Sequence, residues 1–272
     1  MRFFKQLVGF YINSSIHVAL SVFSLSWITL LTLGLNYTEP VLYFVFYASI
    51  TGYNFVKYFG IVKFRHRQLA NWLKSIQILS FICFILMCYY GFYLEFYTHV
   101  FIVCLAILTV LYAIPFLPKG NDSLRSVSGL KVFVIAVVWV GVTVFIPLIN
   151  SDYHINTDVI ILGIQRFLYV LVLMIPFEIR DLKYDNLKLL TIPQKLGVAK
   201  TKTLGIVLLL LFFLLEFLKD ETNKSIMVTL LIVSIITMLF VVFSKTEQNR
   251  YYCSFFVEGL PIVWLVLLLI LN

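Results

Sequence analysis

Charged residues are scarce in this chain. Asp, Glu, Lys and Arg make up 12% of its 272 residues, and only 13 of them are acidic. Hydrophobic residues make up 61%, and the mean hydropathy is +0.99. This composition is far from that of a water-soluble globular domain. It therefore indicates a polytopic membrane protein.

Cysteine is also scarce, and its spacing carries no metal or redox motif. The chain has four cysteines and no Cys-x-x-Cys pair or Cys/His ligand set. All four lie in apolar stretches or at their edges, so we interpret them as packing residues. The chain also lacks low-complexity tracts, long linkers and a separate soluble segment, which predicts a single membrane-embedded domain over residues 1–272.

Long apolar runs are what the chain has in abundance. A membrane-spanning helix needs about 20 mostly apolar residues, and it satisfies its own backbone hydrogen bonds where water is absent. The sequence therefore predicts an all-α bundle of nine transmembrane helices. The predicted spans are 14–35, 40–61, 74–93, 97–117, 130–150, 158–178, 203–218, 225–243 and 251–271.

The basic residues predict the orientation of this bundle. Of the 21 Lys and Arg residues, 17 fall in the N-terminal segment and in the connections that lie on the same side of the membrane. The positive-inside rule then places the N-terminus in the cytoplasm and the C-terminus outside, in the inner or plasma membrane. Anionic lipid headgroups account for the net charge of +8, so we predict no nucleic-acid partner.

Three of the few carboxylates cluster at the end of the sixth predicted span. Glu178, Asp181 and Asp185 have spacings of three and four, which places them on one face if the helix continues. Three carboxylates on one face repel one another unless a hard cation such as Mg²⁺ lies between them. The alternative is a solvated helix end, where neighbouring Arg and Lys side chains pair locally with the acids.

The residues that follow give this cluster a family resemblance. A Thr-Ile-Pro break at Thr191 and Pro193 is followed by Gly197. With Asp181 and Asp185, the order Asp-x-x-x-Asp and then Thr-x-Pro-x-x-x-Gly resembles the second aspartate-rich region of the UbiA superfamily of intramembrane prenyltransferases. The nine predicted helices and the cytoplasmic placement also agree with that family.

A second stretch, residues 111–133, resembles the connection between the family's fourth and fifth helices. There a Tyr-x-x-Pro turn precedes a basic loop, matched here by Tyr112, Pro115, Arg125 and Lys131. The resemblance implies that these residues bind the substrate, with Arg125 and Lys131 on its diphosphate. The alternative is a proline-terminated helix followed by an ordinary positive-inside loop.

The second predicted helix departs from the family pattern. The family's first aspartate-rich region begins Asn-Asp-x-x-Asp, but the sequence here is Asn54 followed by Phe55 and, at the third position after that, Tyr58. Half of the family's metal-binding residues are therefore absent.

Lys57 lies near the end of the same apolar helix. A lysine within the membrane is costly unless it reaches the interface or finds a partner. One interpretation is that Lys57 simply extends to the inner surface. The other is that Lys57 replaces part of the metal's positive charge, by pairing with Asp181 or Asp185 or by contacting phosphate.

The resemblance implies transfer of a prenyl group from a prenyl diphosphate to a lipophilic acceptor within the bilayer. Asp181 and Asp185 would hold Mg²⁺, Asn54 would orient metal or substrate, and Glu178 would assist. The alternative is a non-catalytic UbiA-like protein that binds an isoprenoid, a lipid or a partner protein. A small transporter is a third reading.

Arg166 is the other basic residue in the interior of a predicted span. It lies three turns before Glu178 on one helix, and it predicts a buried ion pair with Glu216 or Glu258.

Overall fold

A computed structural model describes residues 2–64, 71–114, 124, 129–183, 190–220 and 223–271, with the backbone alone for 2–5, 59–64 and 71. The described residues are almost entirely helical. The helices are α1 (Arg2–Asn13), α2 (Ile16–Thr32), α3 (Glu39–Phe64), α4 (Asn71–Gly91), α5 (Phe96–Ala113), α6 (Lys131–Val140), α7 (Ile146–Asn150), α8 (Thr157–Asp181), α9 (Ile192–Leu196), α10 (Val198–Leu214), α11 (Lys224–Phe243) and α12 (Leu260–Leu271).

Three short helical segments of other types join these helices. A π-helical turn, Gly141–Phe145, connects α6 to α7, so that Lys131–Asn150 forms one continuous span. A 3₁₀ turn, Leu215–Leu218, extends α10, and a second π-helical segment, Tyr252–Val257, precedes α12.

The described residues contain seven helices that are long and apolar enough to cross a membrane. An eighth is present if α1 and α2, which meet at an angle of 55°, form one span. Helix α3 has 26 residues and is not among these spans. The all-helical membrane fold is confirmed, whereas a total of nine spans stays a prediction.

Helix α8 occupies the centre of the bundle. It contacts α6, α10 and α11, and 72% of its apolar window is buried. Its Tyr169 packs against Phe212 of α10 and Trp264 of α12. By contrast, only 17% and 11% of the corresponding windows of α4 and α5 are buried, so these helices present most of their apolar surface to lipid.

Polar side chains gather at both ends of this apolar core. One end is formed by the start of α2, the last turns of α3 and α8, and the π-helical segment before α12. The opposite end is formed by the last turns of α2 and α10 and the first turns of α8. The first end carries most of the residues that the sequence predicted to be functional.

Candidate active site

The end of α8 holds two of the predicted carboxylates in different environments. Glu178 is buried and forms an ion pair with Lys131, the first residue of α6, with 3.0 Å between Oε1 and Nζ. Asp181 is partly exposed, and its Oδ1 accepts a hydrogen bond from Arg180 Nε at 2.8 Å. The structure therefore brings together Lys131 and Glu178, which the sequence had placed in one substrate site without pairing them.

The surroundings of Asp181 agree with the alternative interpretation, in which neighbouring Arg and Lys side chains pair locally with the acids at the helix end. Arg180 is the adjacent residue, and Lys183 forms an exposed ion pair with Glu247 at 3.5 Å. Helix α8 ends at Asp181. Asp185 lies outside the described residues, as does Arg125, so their predicted roles in metal and diphosphate binding stay predictions.

The helix break after α8 has the local structure that its sequence predicts. Thr191 precedes the short helix α9, its backbone N–H donates to Gln194 Oε1 at 2.9 Å, and Pro193 lies in the first turn of the helix. Gly197 ends α9 with φ of +79°, a conformation that a residue with a Cβ rarely adopts.

Asn54 is buried, and its side chain holds three helices together. Its Nδ2 donates to the backbone oxygen of Ser14 at 3.0 Å and to Ser80 Oγ at 2.8 Å, and its Oδ1 accepts from Ser15 Oγ at 2.8 Å. Both amide hydrogens are used, so this geometry supports a structural role. The orientation of metal or substrate by Asn54 stays a prediction.

Lys57 lies at the same end of the bundle but does not contact Asp181. Its Nζ donates to the backbone oxygen of Asn13 at 3.1 Å, beside the Tyr58 hydroxyl, which donates to the same oxygen at 2.7 Å. Among the described residues, the carboxylate within electrostatic range of Lys57 is Glu258. The structure therefore favours Glu258, and not Asp181, as the acidic partner of Lys57. The other predicted partner, Asp185, lies outside the described residues.

Glu258 is the functional candidate that sequence reasoning did not place here. It follows the π-helical segment Tyr252–Val257, is half-buried, and lies within electrostatic range of both Lys57 and Arg180. Its backbone oxygen accepts a hydrogen bond from Ser21 of α2, which fixes its position. A π-helical segment often marks a functional site because it changes the direction of the following side chain.

Aromatic side chains adjoin Glu258 on the side of α6. Tyr53 is within electrostatic range of both Glu258 and Tyr112, and its hydroxyl accepts a hydrogen bond from Trp139 Nε1 at 2.6 Å. Tyr112, a predicted substrate-binding residue, is buried. The structure thus connects Tyr112 to the charged cluster through Tyr53.

Arg166 and Glu258 do not form the predicted ion pair in the described part of the chain. The guanidinium of Arg166 donates to Thr29 Oγ1 at 3.3 Å and stacks on Trp264. Glu216 is bound instead by Lys219, at 2.6 Å. The prediction was wrong because the carboxylates on other helices are turned towards Lys57 or Lys219, which spacing within α8 does not reveal.

The residues described at this end do not complete a metal site. No group of three or more His, Cys, Asp or Glu side chains lies close enough together to hold a metal ion within the described ranges. Asp181 contributes a single carboxylate, and one of its oxygens already binds Arg180. Mg²⁺ usually takes one or two carboxylates together with substrate phosphate and water, so the described donors fit it only in part.

One solved structure, of a digeranylgeranylglyceryl phosphate synthase in membranes, is similar to this chain over 98% of its length and 97% of that protein's length. The TM-score is 0.56 and the sequence identity is 16%. No protein-family model and no curated protein matches the chain. At this level of identity the similarity establishes the architecture, and the chain therefore has the fold of the UbiA-type intramembrane prenyltransferases.

Proposed function

We propose that the protein transfers a prenyl group from a prenyl diphosphate to a lipophilic acceptor at the end of the bundle that carries Glu258. The observation that carries this proposal is that Lys57, Lys131 and Arg180, from three different helices, lie among carboxylates at that end. The shared fold with a membrane prenyltransferase supports the same assignment. We also propose that this end faces the cytoplasm, because the basic connections lie there.

The proposed reaction is a heterolytic substitution at the allylic carbon. The bond between that carbon and the diphosphate oxygen breaks, and its electron pair leaves with the diphosphate. Lys57, Lys131 and Arg180 stabilise the negative charge that develops on the leaving group. The acceptor then donates an electron pair to the allylic carbon and loses a proton, for which Glu258 is the candidate base.

An allylic cation must be kept away from water until the acceptor captures it. Tyr53 lies beside Glu258, and Tyr112 and Trp139 adjoin Tyr53. An aromatic face stabilises a nearby cation by about 0.5–2 kcal/mol. Both helices that carry Tyr53 and Trp139 are fixed by the hydrogen bond between these side chains. These residues are therefore proposed to shield the prenyl group.

Magnesium at Asp181 and Asp185 remains part of the proposal as a prediction from the sequence. The described donors fit Mg²⁺ only in part, so no step above depends on it. Assays in Mg²⁺ and in EDTA determine whether the protein needs the metal.

A second candidate function is binding of an isoprenoid or lipid without turnover. It is favoured by Phe55 and Tyr58, which stand at the two positions where the family has metal-binding aspartates. The Tyr58 hydroxyl donates to the backbone oxygen of Asn13. A site that retains cations but has fewer metal ligands can bind a diphosphate without activating it.

The experiment that separates the two functions uses the purified protein in nanodiscs made from a membrane lipid extract. Radiolabelled prenyl diphosphates of several chain lengths are added, with Mg²⁺ or with EDTA. Release of diphosphate together with a labelled lipid product supports the enzyme. Saturable binding of the label without release supports the non-catalytic function, and the absence of both contradicts the proposal.

A further inference from the structure

Two side chains of α2 hold the backbone around Glu258. His17 Nε2 donates to the backbone oxygen of Phe255 at 2.8 Å, and Ser21 Oγ donates to the backbone oxygen of Glu258 itself. His17 and Ser21 are four residues apart, so both project from one face of the helix. Phe255 belongs to the π-helical segment, and Glu258 directly follows it. The backbone that carries Glu258 is therefore fixed to α2 at two points.

The imidazole of His17 is buried against the same π-helical segment. His17 is 4% exposed, and its ring stacks on that of Phe255 with 4.9 Å between centroids and 7° between planes. A buried ring packed in this way has little room to turn. The bond to the Phe255 oxygen therefore has a fixed direction.

The two hydrogen bonds of His17 define its tautomer. A backbone oxygen can only accept, so the hydrogen atom of the neutral imidazole lies on Nε2. Nδ1 is then an acceptor, and the Tyr11 hydroxyl donates to it at 2.9 Å. In the other tautomer two lone pairs would face each other at the Phe255 oxygen. Tyr11 of α1 thus keeps the imidazole in the form that binds the π-helical segment.

We propose that His17 is a positioning residue for the transfer reaction, and that Tyr11 supports it by fixing the tautomer. This rests on the proposed function, in which Glu258 is the base. His17 acts through the backbone oxygen of Phe255, which holds the π-helical segment so that the Glu258 carboxylate is directed towards Lys57. A base works only within hydrogen-bond reach of its proton, and a displacement of about 1 Å lowers a rate about 100-fold.

The activity test measures lipid product formation from a prenyl diphosphate by the purified protein in nanodiscs. His17→Leu removes the donor to Phe255, and it is expected to lower kcat about 100-fold while KM changes less than about threefold. His17→Gln keeps an N–H group near the position of Nε2, so its kcat is expected to stay within about threefold of that of the unchanged protein. A lower Tm of His17→Leu with unchanged kcat is the result of a purely structural role, and it would overturn the proposal.

Ser24→Ala is the matched control on the same helix. The Ser24 hydroxyl is buried and donates to the backbone oxygen of Leu20 within α2, so its loss should leave kcat unchanged. If His17→Leu does not fold, Tyr11→Phe takes its place, because it removes only the hydroxyl that holds the tautomer. A lower kcat is expected for Tyr11→Phe, and a kcat equal to that of the unchanged protein would count against the proposal.

A second measurement does not depend on turnover, so it separates the positioning role from the proposed function. Lys57 lies within electrostatic range of Glu258, and a carbodiimide joins an amine to a nearby carboxylate as an amide. Mass spectrometry should find the peptide that links Lys57 to Glu258 at equal yield in the unchanged protein and His17→Gln, and at several-fold lower yield in His17→Leu. The link between Lys183 and Glu247, an exposed ion pair at 3.5 Å, is the internal reference.

The yields of the link between Lys57 and Glu258 give a clear decision. Equal yields in all three proteins, or no such link in the unchanged protein, would show that His17 does not position Glu258. The expected order of yields together with no lipid product from the unchanged protein would contradict prenyl transfer but support the placement of Glu258 by His17.

Discussion

Glu258 is the proposed base of the reaction, and its neighbours are two cations and a tyrosine. Lys57 and Arg180 lie within electrostatic range of Glu258, and Tyr53 lies beside its half-buried side chain. Replacing Glu258 with Gln keeps the shape and removes the carboxylate that would accept the proton. If Glu258 is the base, we expect Glu258→Gln to lower the rate of lipid product formation about 100-fold or more while prenyl diphosphate still binds.

The matched control is Glu247→Gln at the same end of the bundle. The side chain of Glu247 is 88% exposed and pairs only with an exposed lysine, so this change should leave the rate unaffected. Turnover by Glu258→Gln at the rate of the unchanged protein would exclude the carboxylate as the base.

A substitution of Asn54 distinguishes a structural role of this side chain from a role in orienting metal or substrate. Asn54→Ala removes three hydrogen bonds and leaves Ser14, Ser15 and Ser80 without this partner at the contact of α2, α3 and α4. Each unsatisfied buried group costs about 1–3 kcal/mol. We therefore expect the free energy of unfolding to fall by about 2–4 kcal/mol, measured by chemical denaturation in detergent.

Thr51→Val is the control for that change, because the Thr51 hydroxyl bonds only to the backbone of its own helix. Its expected cost is below about 1 kcal/mol. An Asn54→Ala protein that keeps its stability but loses prenyl diphosphate binding would favour the role that the family resemblance implies.

At the scale of the helices, the position of Glu258 depends on the contact between α2 and the π-helical segment before α12. His17 Nε2 bonds to the backbone oxygen of Phe255 at 2.8 Å, and its ring stacks on that of Phe255. Gly259 makes room for this contact, since an added Cβ would lie 2.8 Å from the Phe255 oxygen and 3.1 Å from His17 Nε2.

We expect Gly259→Ala to lower the stability by about 1–3 kcal/mol, because neither the backbone oxygen nor the bonded imidazole can move freely. Gly52→Ala in α3 is the control: apart from the backbone of its own helix, no described atom lies within 4 Å of the added Cβ, so a gain of about 0.5–1 kcal/mol in helix propensity is expected. Thermal unfolding of the two variants checks both values. Equal Tm values would show that the contact is not tightly packed.

The helices were largely predictable from the sequence, and the contacts between them were not. The predicted span 225–243 corresponds to α11, Lys224–Phe243, because a long apolar run without a break has one stable conformation in lipid. Helix α1 was missed because it is short and amphipathic. The hydrogen-bond partners of Asn54 could not be predicted because they are 26 to 40 residues away in the chain.

For the whole molecule, the charge distribution predicts which end of the bundle carries the cations, whereas helix packing decides which carboxylate each cation meets. Basic residues identify the end of the bundle that carries Lys57 and Arg180, and the structure places both within range of Glu258. Which carboxylate meets which cation depends on helix rotation, and spacing along one helix does not determine it. This is why Lys131 with Glu178, and Lys219 with Glu216, emerged only from the structure.

The orientation of the molecule is open to a direct measurement. Thr246 and His154 are exposed and lie on opposite sides in the predicted topology, in the connection before α12 and in the one between α7 and α8. In intact cells that express Thr246→Cys or His154→Cys, a membrane-impermeant maleimide should label only the cysteine at position 154. After the membranes are opened, the cysteine at position 246 should label as well.

The unchanged protein is the control, since Cys88 and Cys104 lie within apolar helices and should react little with an aqueous reagent. Labelling of position 246 in intact cells would invert the topology. The basic connections and the candidate active site would then face outwards, where a prenyl diphosphate made in the cytoplasm could not reach them. Cytoplasmic prenyl transfer therefore requires that position 246 be protected, because Thr246 and Glu258 belong to the same end of the bundle.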